Sequence, residues 1–368
     1  MENQEQEINR LREEISKLEK KTEWYKATYE NRSLLGIIKD KTTNYLKKHN
    51  IHNNDTLEAK IIKYIFDNPL TVKKNEKTNS VSIIMLSYNR FEDTKKAIKN
   101  IYKYTSIPFE LIILDNNSTD SVKLALQKIA KKHNNIKIIL ETKNLGCAGG
   151  RSKAARYAKN NYLLFIDNDL IVLPYYLENL FSQIYKNENI VGVCCKVVFP
   201  DGKIQFNGGK MVVDDQYALY SLHDQGVEFN NDSTNRELEC EWIPGGATLW
   251  EREIFKKFGI DENMKGSFED NEICLRITNS GYKLMNAPAS IVIHDHYDFK
   301  SNIYKKNESE YYSGRNNQSS IKQALIHFYN KHHLIFSFAW KNNPWDIIWN
   351  LDTKEQILNF IKENNSQA

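Results

Sequence analysis

Several things that would settle the class of this chain are scarce in it. Five cysteines, Cys147, Cys194, Cys195, Cys240 and Cys274, are scattered over 368 residues. The number is odd and no CxxC pair occurs, so neither a zinc ribbon nor a disulfide framework is indicated. Reduced thiols in a cytosolic protein are the plain reading. Long apolar runs are missing as well. None approaches the roughly 20 residues that span a bilayer, and LIFSFAW, Leu334 to Trp340, is far too short. The opening MENQEQEINR lacks the apolar core of a signal peptide. A soluble, cytoplasmic protein is expected, peripheral at most at the inner face of a membrane. Charge of one sign is not in excess. Lys+Arg of 51 against Asp+Glu of 47 leaves +4, too balanced for a dedicated nucleic-acid binder. Basic runs such as NYLKKHN and IAKKHNN read as solvated helix faces.

What is present suffices for a large core, with 40% hydrophobic and 11% aromatic residues. Four zones follow one another. In residues 1–30, Ile8, Leu11, Ile15 and Leu18 recur at steps of three and four, with Tyr25 and Tyr29 in register. That spacing predicts an amphipathic helix. It either pairs with a second copy as a short coiled coil, giving a homo-oligomer, or lies on its own domain. Residues 31–79 are helical in patches (LEAKIIKYIF) and end in a polar linker, KKNEKTNS. Residues 80–300 alternate strand and helix. Strands are expected at VSIIMLS, FELIILD, IKIIL, YLLFID and IVGVCCKVVF, and helices at EDTKKAIKNIYKY, DSVKLALQKIAKKH and PYYLENLFSQIYKN. Repeated strand–helix units predict an α/β fold with a mainly parallel sheet covered on both faces. Residues 301–368 form a helical extension rich in Tyr, Lys and Asn.

In open parallel sheets, ligands bind beyond the carboxyl ends of the strands. SYNR, from Ser87 to Arg90, follows the first strand, and Asp115 ends the second. YLLFIDNDL runs through an apolar body into Asp167, Asn168 and Asp169. Residues two apart on an extended strand share a side, so the two acids are expected to address one hard cation, Mg2+ or Mn2+, together with substrate phosphates. A lone DxD, however, is most often a solvated turn. GCAGGRS, Gly146 to Ser152, lacks the spacing of a dinucleotide fingerprint, and no GxxxxGK[ST] loop occurs. Its glycines suit a turn where backbone approaches a ligand, with Gly149 and Gly150 opening a helix.

Two further strand and helix ends carry polar groups. FEDNEICLRITNSGYKL places Glu269 and Asp270 at a helix start, with Ile273 and Ile277 on an apolar face and Gly281 as the stop. Acids there serve either as helix-end charge complements or as a general base. The helix dipole is expected to hold such a base ionised and weakly basic. IVIHDHY ends a strand in His294, Asp295 and His296, and neutral imidazole is a fair ligand for Mn2+.

From Val81 to about Tyr297 the chain resembles family 2 glycosyltransferases of the GT-A fold. The resemblance rests on eight segments in order: VSIIMLSYNR, LIILDNNSTD, NLGCAGGRS, LLFIDND, PDGKIQFNGG, WIPGGATLWEREIF, FEDNEICLRITNSGYKL and IVIHDH. It is similar in flavour to the bacterial rhamnosyltransferase-like subgroup of cell-surface polysaccharide synthesis. It implies that Ser87, Asn89 and Asp115 contact the base and ribose of a UDP- or dTDP-sugar. It implies that Asn144 and Gly146 approach the donor. Asp167 and Asp169 become the DxD, with Asp169 and His294 as metal ligands, His296 as the competing histidine, and Asp167 nearer the ribose or a metal-bound water. Asp270, second of the acidic pair with Glu269, becomes the base of an inverting transfer. Trp242, Gly245 and Gly246 border the donor and acceptor pockets. Arg151 departs from the Asn common at its position, which implies a cation near the donor phosphates or sugar.

The implied acceptor is a glycan or lipid-linked sugar, with a peptide as the alternative. The C-terminal zone would cover the site, bind acceptor, touch a membrane surface, or simply pack on the main domain, the plainest of these. Two other readings are a nucleotidyltransferase, which leaves FEDNEICLRI and IHDH unexplained, and a non-catalytic scaffold, against which the intact carboxylate pairs count.

Overall fold

A computed structural model of the chain describes residues 56–68, 79–214, 217–264, 267–301, 304–305, 318–338 and 354–365. The heptads of residues 1–30 lie outside these. The contacts below fall within residues 60–368, one compact unit.

The apolar runs form the strands expected of them: β1 (Val81–Ser87), β2 (Phe109–Asp115), β3 (Ile136–Leu140) and β4 (Tyr162–Phe165). In chain order there follow β5 (Leu170–Val172), β6 (Ile190–Val198), β7 (Ile204–Phe206), β8 (Gly209–Asp214) and β9 (Tyr217–Leu222). The last are β10 (Glu239–Cys240), β11 (Thr248–Glu251), β12 (Lys283–His294) and β13 (Ile335–Phe338). A ten-stranded sheet runs β10-β12-β6-β11-β4-β1-β2-β3, with β5 on β12 and β7 on β6. The block β4-β1-β2-β3 is parallel, as is the pair β6-β12. β11 joins the two blocks and is antiparallel to both neighbours. Two reversals restore the original direction, so β1, β2, β4, β6 and β12 all point their carboxyl ends to one edge. The first helix is α1 (Leu57–Asp67). Packed against the sheet are α2 (Phe91–Tyr104), α3 (Asp120–Ala130), α4 (Gly146–Ala155) and α5 (Tyr176–Ile184). α6 (Arg252–Phe258) and α7 (Glu269–Asn279) follow.

Burial explains the sequence pattern. Every residue of β6 is buried, including Lys196. Its ammonium donates to Thr234 Oγ1 at 2.9 Å, Asn235 Oδ1 at 3.1 Å and the Phe229 carbonyl at 3.3 Å. Burial pulls this lysine down to about 8. It acts as a polar strut under the loop between β9 and β10.

The C-terminal extension is not wholly helical. α8 (Gln318–His332) leads into β13, and α9 (Lys354–Asn365) follows. β13 pairs parallel with β9, which pairs antiparallel with β8, in a second sheet. The apolar-aromatic stretch after α8 is therefore, through Phe338, a strand. Phe328, Ile335 and Phe336 are buried in the main core. Among the described residues, no helix is long and apolar enough to cross a membrane.

Candidate active site

The shared edge gathers the predicted polar residues. Ser87 and Asp115 are partners in the β1–β2 register. Ser87 is buried, its hydroxyl 3.2 Å from that of Thr94. Asp115 is fully buried; Oδ1 accepts from the Ser118 amide at 3.0 Å, and Oδ2 has no partner. A buried carboxylate oxygen left bare points to a ligand that donates to it. Asn89 is left-handed at φ 56°, a conformation asparagine tolerates. Its amide donates to Ser118 Oγ and its side chain accepts from Thr119, tying the first two strand-end loops together.

Asn144 Oδ1 accepts from the Gly146 amide at 2.8 Å, and Gly146 opens α4 at φ 69°. α4 thus starts at Gly146, with Gly149 and Gly150 one turn in. Asn116, which sequence reasoning passed over, ties this loop to β2. It accepts from the Leu145 amide at 2.7 Å and donates to the Gly146 carbonyl at 3.1 Å. Its position, one residue past Asp115, was the available signal.

Asp167 and Asp169 do not form a same-side pair on an extended strand. β4 stops at Phe165, and the Leu170 amide bonds the Asp167 carbonyl at 3.1 Å, closing a turn. The two carboxylates then serve different partners. Asp167 accepts from Arg151 Nη2 at 2.8 Å. Asp169 Oδ2 lies 3.0 Å from Arg90 Nη1 and 3.4 Å from His294 Nε2. The strand register brings Asp169 to His294, because Leu170 at the start of β5 pairs His294 at the end of β12. Burial by itself would raise the Asp169 carboxyl. His294 and Arg90 outweigh it and hold the group well below the usual carboxylate range. His294 Nδ1 meets Gln205 Oε1 at 2.7 Å, which orients the ring. His296 turns instead to Asp298, its Nδ1 3.3 Å from the carboxylate.

Arg90 was not singled out by sequence. It is 5% exposed and also donates to Asp93 and to Tyr304 Oη. Only the fold brings these groups together, since Tyr304 lies 214 residues away.

Glu269 and Asp270 open α7. The cap is Phe268, left-handed at φ 69° and without a side-chain hydrogen bond to the helix end. Such a conformation costs a bulky residue on the order of 1–3 kcal/mol. Glu269 accepts from Arg151 Nη1 at 2.8 Å. Arg151 is therefore a buried link between Asp167 and Glu269. Burial alone would weaken its charge, but Asp167, Cys147 and Glu269 keep it firmly protonated. Gly245 and Gly246 are explained by the same link. A Cβ on Gly245 would lie 2.3 Å from Arg151 Nη1, and one on Gly246 2.4 Å from Asp167 Oδ2. The Gly245 amide donates to Asp270 Oδ2 at 3.0 Å. Trp242 is buried, its indole N–H donating to the Ser221 carbonyl at 3.3 Å.

Beside Asp270 lies a cavity lined by Arg151, Gly245 and Glu269 on its polar side and by Phe165, Trp250, Phe255 and Ile273. Burial here, and then repulsion from Glu269, push Asp270 up to about 6 against the pull of Arg151. The weak basicity expected of an acid at a helix start is thereby offset, because desolvation and Glu269 both favour the protonated form.

No group of three or more His, Cys, Asp and Glu side chains suited to a metal occurs among the described residues. Asp169 and His294 nevertheless fit a site that takes two ligands from protein and the remainder from substrate phosphate and water.

Comparison with known proteins bears on the family and the fold. Residues 82–239 match the model of glycosyl transferase family 2. A UDP-Glc:alpha-D-GlcNAc-diphosphoundecaprenol beta-1,3-glucosyltransferase of Escherichia coli, WfgD, is 32% identical over 107 residues, 29% of this chain and 42% of that one. The O-antigen biosynthesis protein RfbC of Myxococcus xanthus is 26% identical over 223 residues, 59% of this chain and 17% of that one. The chain thus spans less than half the length of either relative. The structure of GalNAc-T7 with UDP, GalNAc and Mn2+ superposes with a TM-score of 0.51 at 19% identity, covering 71% of this chain and 56% of that one. Residues 82–239 thus carry the family 2 glycosyltransferase match, within a chain that has the GT-A fold.

Proposed function

We propose that the chain is an inverting glycosyltransferase. It moves a sugar from a UDP- or dTDP-sugar to a hydroxyl of a glycan or lipid-linked acceptor in cell-surface polysaccharide synthesis. The observation that carries the reading is Asp270. It is a carboxylate beside a partly apolar cavity, pushed up to about 6. A base is most effective when its pKa lies near the working pH. The relatives support the class, since one acts on UDP-Glc and an undecaprenol-linked sugar and the other belongs to O-antigen synthesis.

The chemistry runs as follows. Asp115, with its unpartnered Oδ2, accepts a donor proton from base or ribose; Ser87, Asn89, Asn144 and Gly146 shape that half of the cleft. Asp169 and His294 would hold a divalent cation, Mg2+ or Mn2+. Such an ion, when bound, neutralises the diphosphate leaving group. Asp270 takes the proton of the acceptor hydroxyl as its oxygen bonds the anomeric carbon. The bond from that carbon to the phosphate oxygen breaks, and nucleoside diphosphate leaves with the electron pair. One in-line displacement inverts the configuration.

The test is a panel of nucleotide sugars, with and without divalent cation, scored for product. Release of nucleoside diphosphate supports glycosyl transfer, and pyrophosphate would instead mean nucleotidyl transfer. Asp270→Asn should lower kcat by about 100-fold or more; near-normal transfer in that variant removes the base assignment.

A further inference from the structure

The segment Gln318–Phe338 lies outside the residues matched by the family model, yet it meets the residues that flank the acidic pair, Phe268 before it and Glu272 after it. The first contact is aromatic. Phe268, the residue immediately before Glu269, packs on Phe336 of β13 with ring centroids 4.3 Å apart. Phe336 also stacks on Tyr220 of β9 at 4.6 Å and meets Phe328 of α8 edge-on at 5.6 Å. Both Phe268 and Phe336 are buried. Phe268 is the residue held at φ 69°. A bulky side chain keeps that backbone only where its surroundings over-determine it. Phe336 is among those surroundings.

The second contact is ionic and lies one helical turn from the first. Glu272 is fully buried. Its carboxylate receives His332 Nε2 at 3.0 Å and Lys331 Nζ at 2.8 Å from the end of α8. Arg276 adds bonds of 2.8 and 2.7 Å from within α7. Lys331 and His327 also reach Asp261, at 2.6 and 3.0 Å. The register of β13 on β9 fixes where α8 ends, since Ile335 pairs Tyr217 and Phe338 pairs Tyr220.

The geometry points to α8 and β13 as a buttress that sets the position of Asp270, with Phe336 and His332 as its positioning residues. The turn that aims the acidic pair is clamped before Glu269 by Phe336 and after Asp270 by His332 and Lys331. Neither clamp residue touches Asp270 in this arrangement; each acts through Phe268 or Glu272. The other half of the crevice, around Ser87 and Asp115, is built on β1 and β2 of the ten-stranded sheet, whereas β13 belongs to the second sheet. The inference rests on the proposed role of Asp270 as base.

The test compares Phe336→Ala, Phe336→Leu and His332→Gln with Asp270→Asn. The readouts are kcat and donor KM for sugar transfer, and calorimetric binding of UDP with Mn2+. In Phe336→Ala, kcat should fall about 10- to 100-fold, as expected of a displaced catalytic group. UDP binding and donor KM should stay within about twofold, and Phe336→Leu should recover part of the rate. His332→Gln leaves the Phe268–Phe336 contact in place and covers the case in which Phe336→Ala fails to fold; its kcat should fall about 3- to 10-fold. Unchanged kcat in folded Phe336→Leu and His332→Gln overturns the buttress and leaves the base assignment standing. Loss of UDP binding in parallel with kcat overturns it as well, because the damage is then general. Full activity of Asp270→Asn removes the base and the buttress together.

Discussion

Glu269 and Asp270 are adjacent carboxylates with opposite environments. Glu269 is bonded to Arg151, whereas Asp270 has backbone donors and a desolvating wall. The protonated form of Asp270 is favoured below about 6, so a base in this position is silent at low pH. The rate of transfer should rise with pH through an apparent value near 6. Arg151 pulls that value down; in Arg151→Met the rising limb should move to higher pH, whereas a limb that stays put would show that Arg151 does not set it. Removing the cation also leaves Glu269 buried without its partner, at a cost of about 3–5 kcal/mol in unfolding free energy. Gly246→Ala tests the packing beside the same link. Its new methyl would sit 2.4 Å from Asp167 Oδ2, and activity should fall at least tenfold (order of magnitude) through displacement of the loop. The DxD was legible as two acids with one residue between them. Its division between two arginines was not, because Arg90 and Arg151 reach it through tertiary contacts.

At the scale of elements, α7 is the piece on which most depends. Its start carries the candidate base and its next turn carries Glu272. Burial would raise the Glu272 carboxyl, but His332, Arg276 and Lys331 bring it down to about 2. A carboxyl depressed in the folded state stabilises the fold above its ordinary value, and that stability is lost as pH falls through about 2. The shift corresponds to about 3 kcal/mol. Glu272→Gln should therefore lower the unfolding free energy at pH 7 by roughly that amount. In paired denaturant titrations the gap should narrow as pH falls from the ordinary carboxylate range towards about 2; a constant gap would mean that packing, not charge, is responsible. The parallel strands were readable as near-continuous apolar runs because both of their faces are covered. The second sheet was not. β8 leaves Val212 and Val213 exposed, and β13 consists of four residues, so neither carries a clear period.

For the molecule as a whole, the crevice has one side on β1 and β2, where the proposed function puts the nucleotide, and an acidic side on α7, with the Asp169–His294 contact at the β5–β12 pairing. If Asp169 and His294 are the protein's two ligands, as proposed, Arg90 shares Asp169 and the pair would make a weak cation site on its own. Mn2+ should bind poorly to the free protein and much more tightly with UDP present, and UDP should gain equally from Mn2+. Calorimetry of each ligand with and without the other measures this, and equal Mn2+ affinity in both conditions would contradict it.

The sequence by itself determined the parallel core strands, their polar ends and the order of the motifs, because apolar periodicity and turn residues are local properties. It also marked Asp115, Asp169, Asp270 and His294 as residues at element ends. The tertiary structure decided which of these meet. Sheet order and register set Asp169 against His294 and leave His296 to Asp298. Burial made Arg151 an internal counter-ion and turned Asp270 from an ordinary carboxylate into one poised near neutrality. Such shifts depend on solvent exclusion and on charges distant in the chain, which no local pattern records.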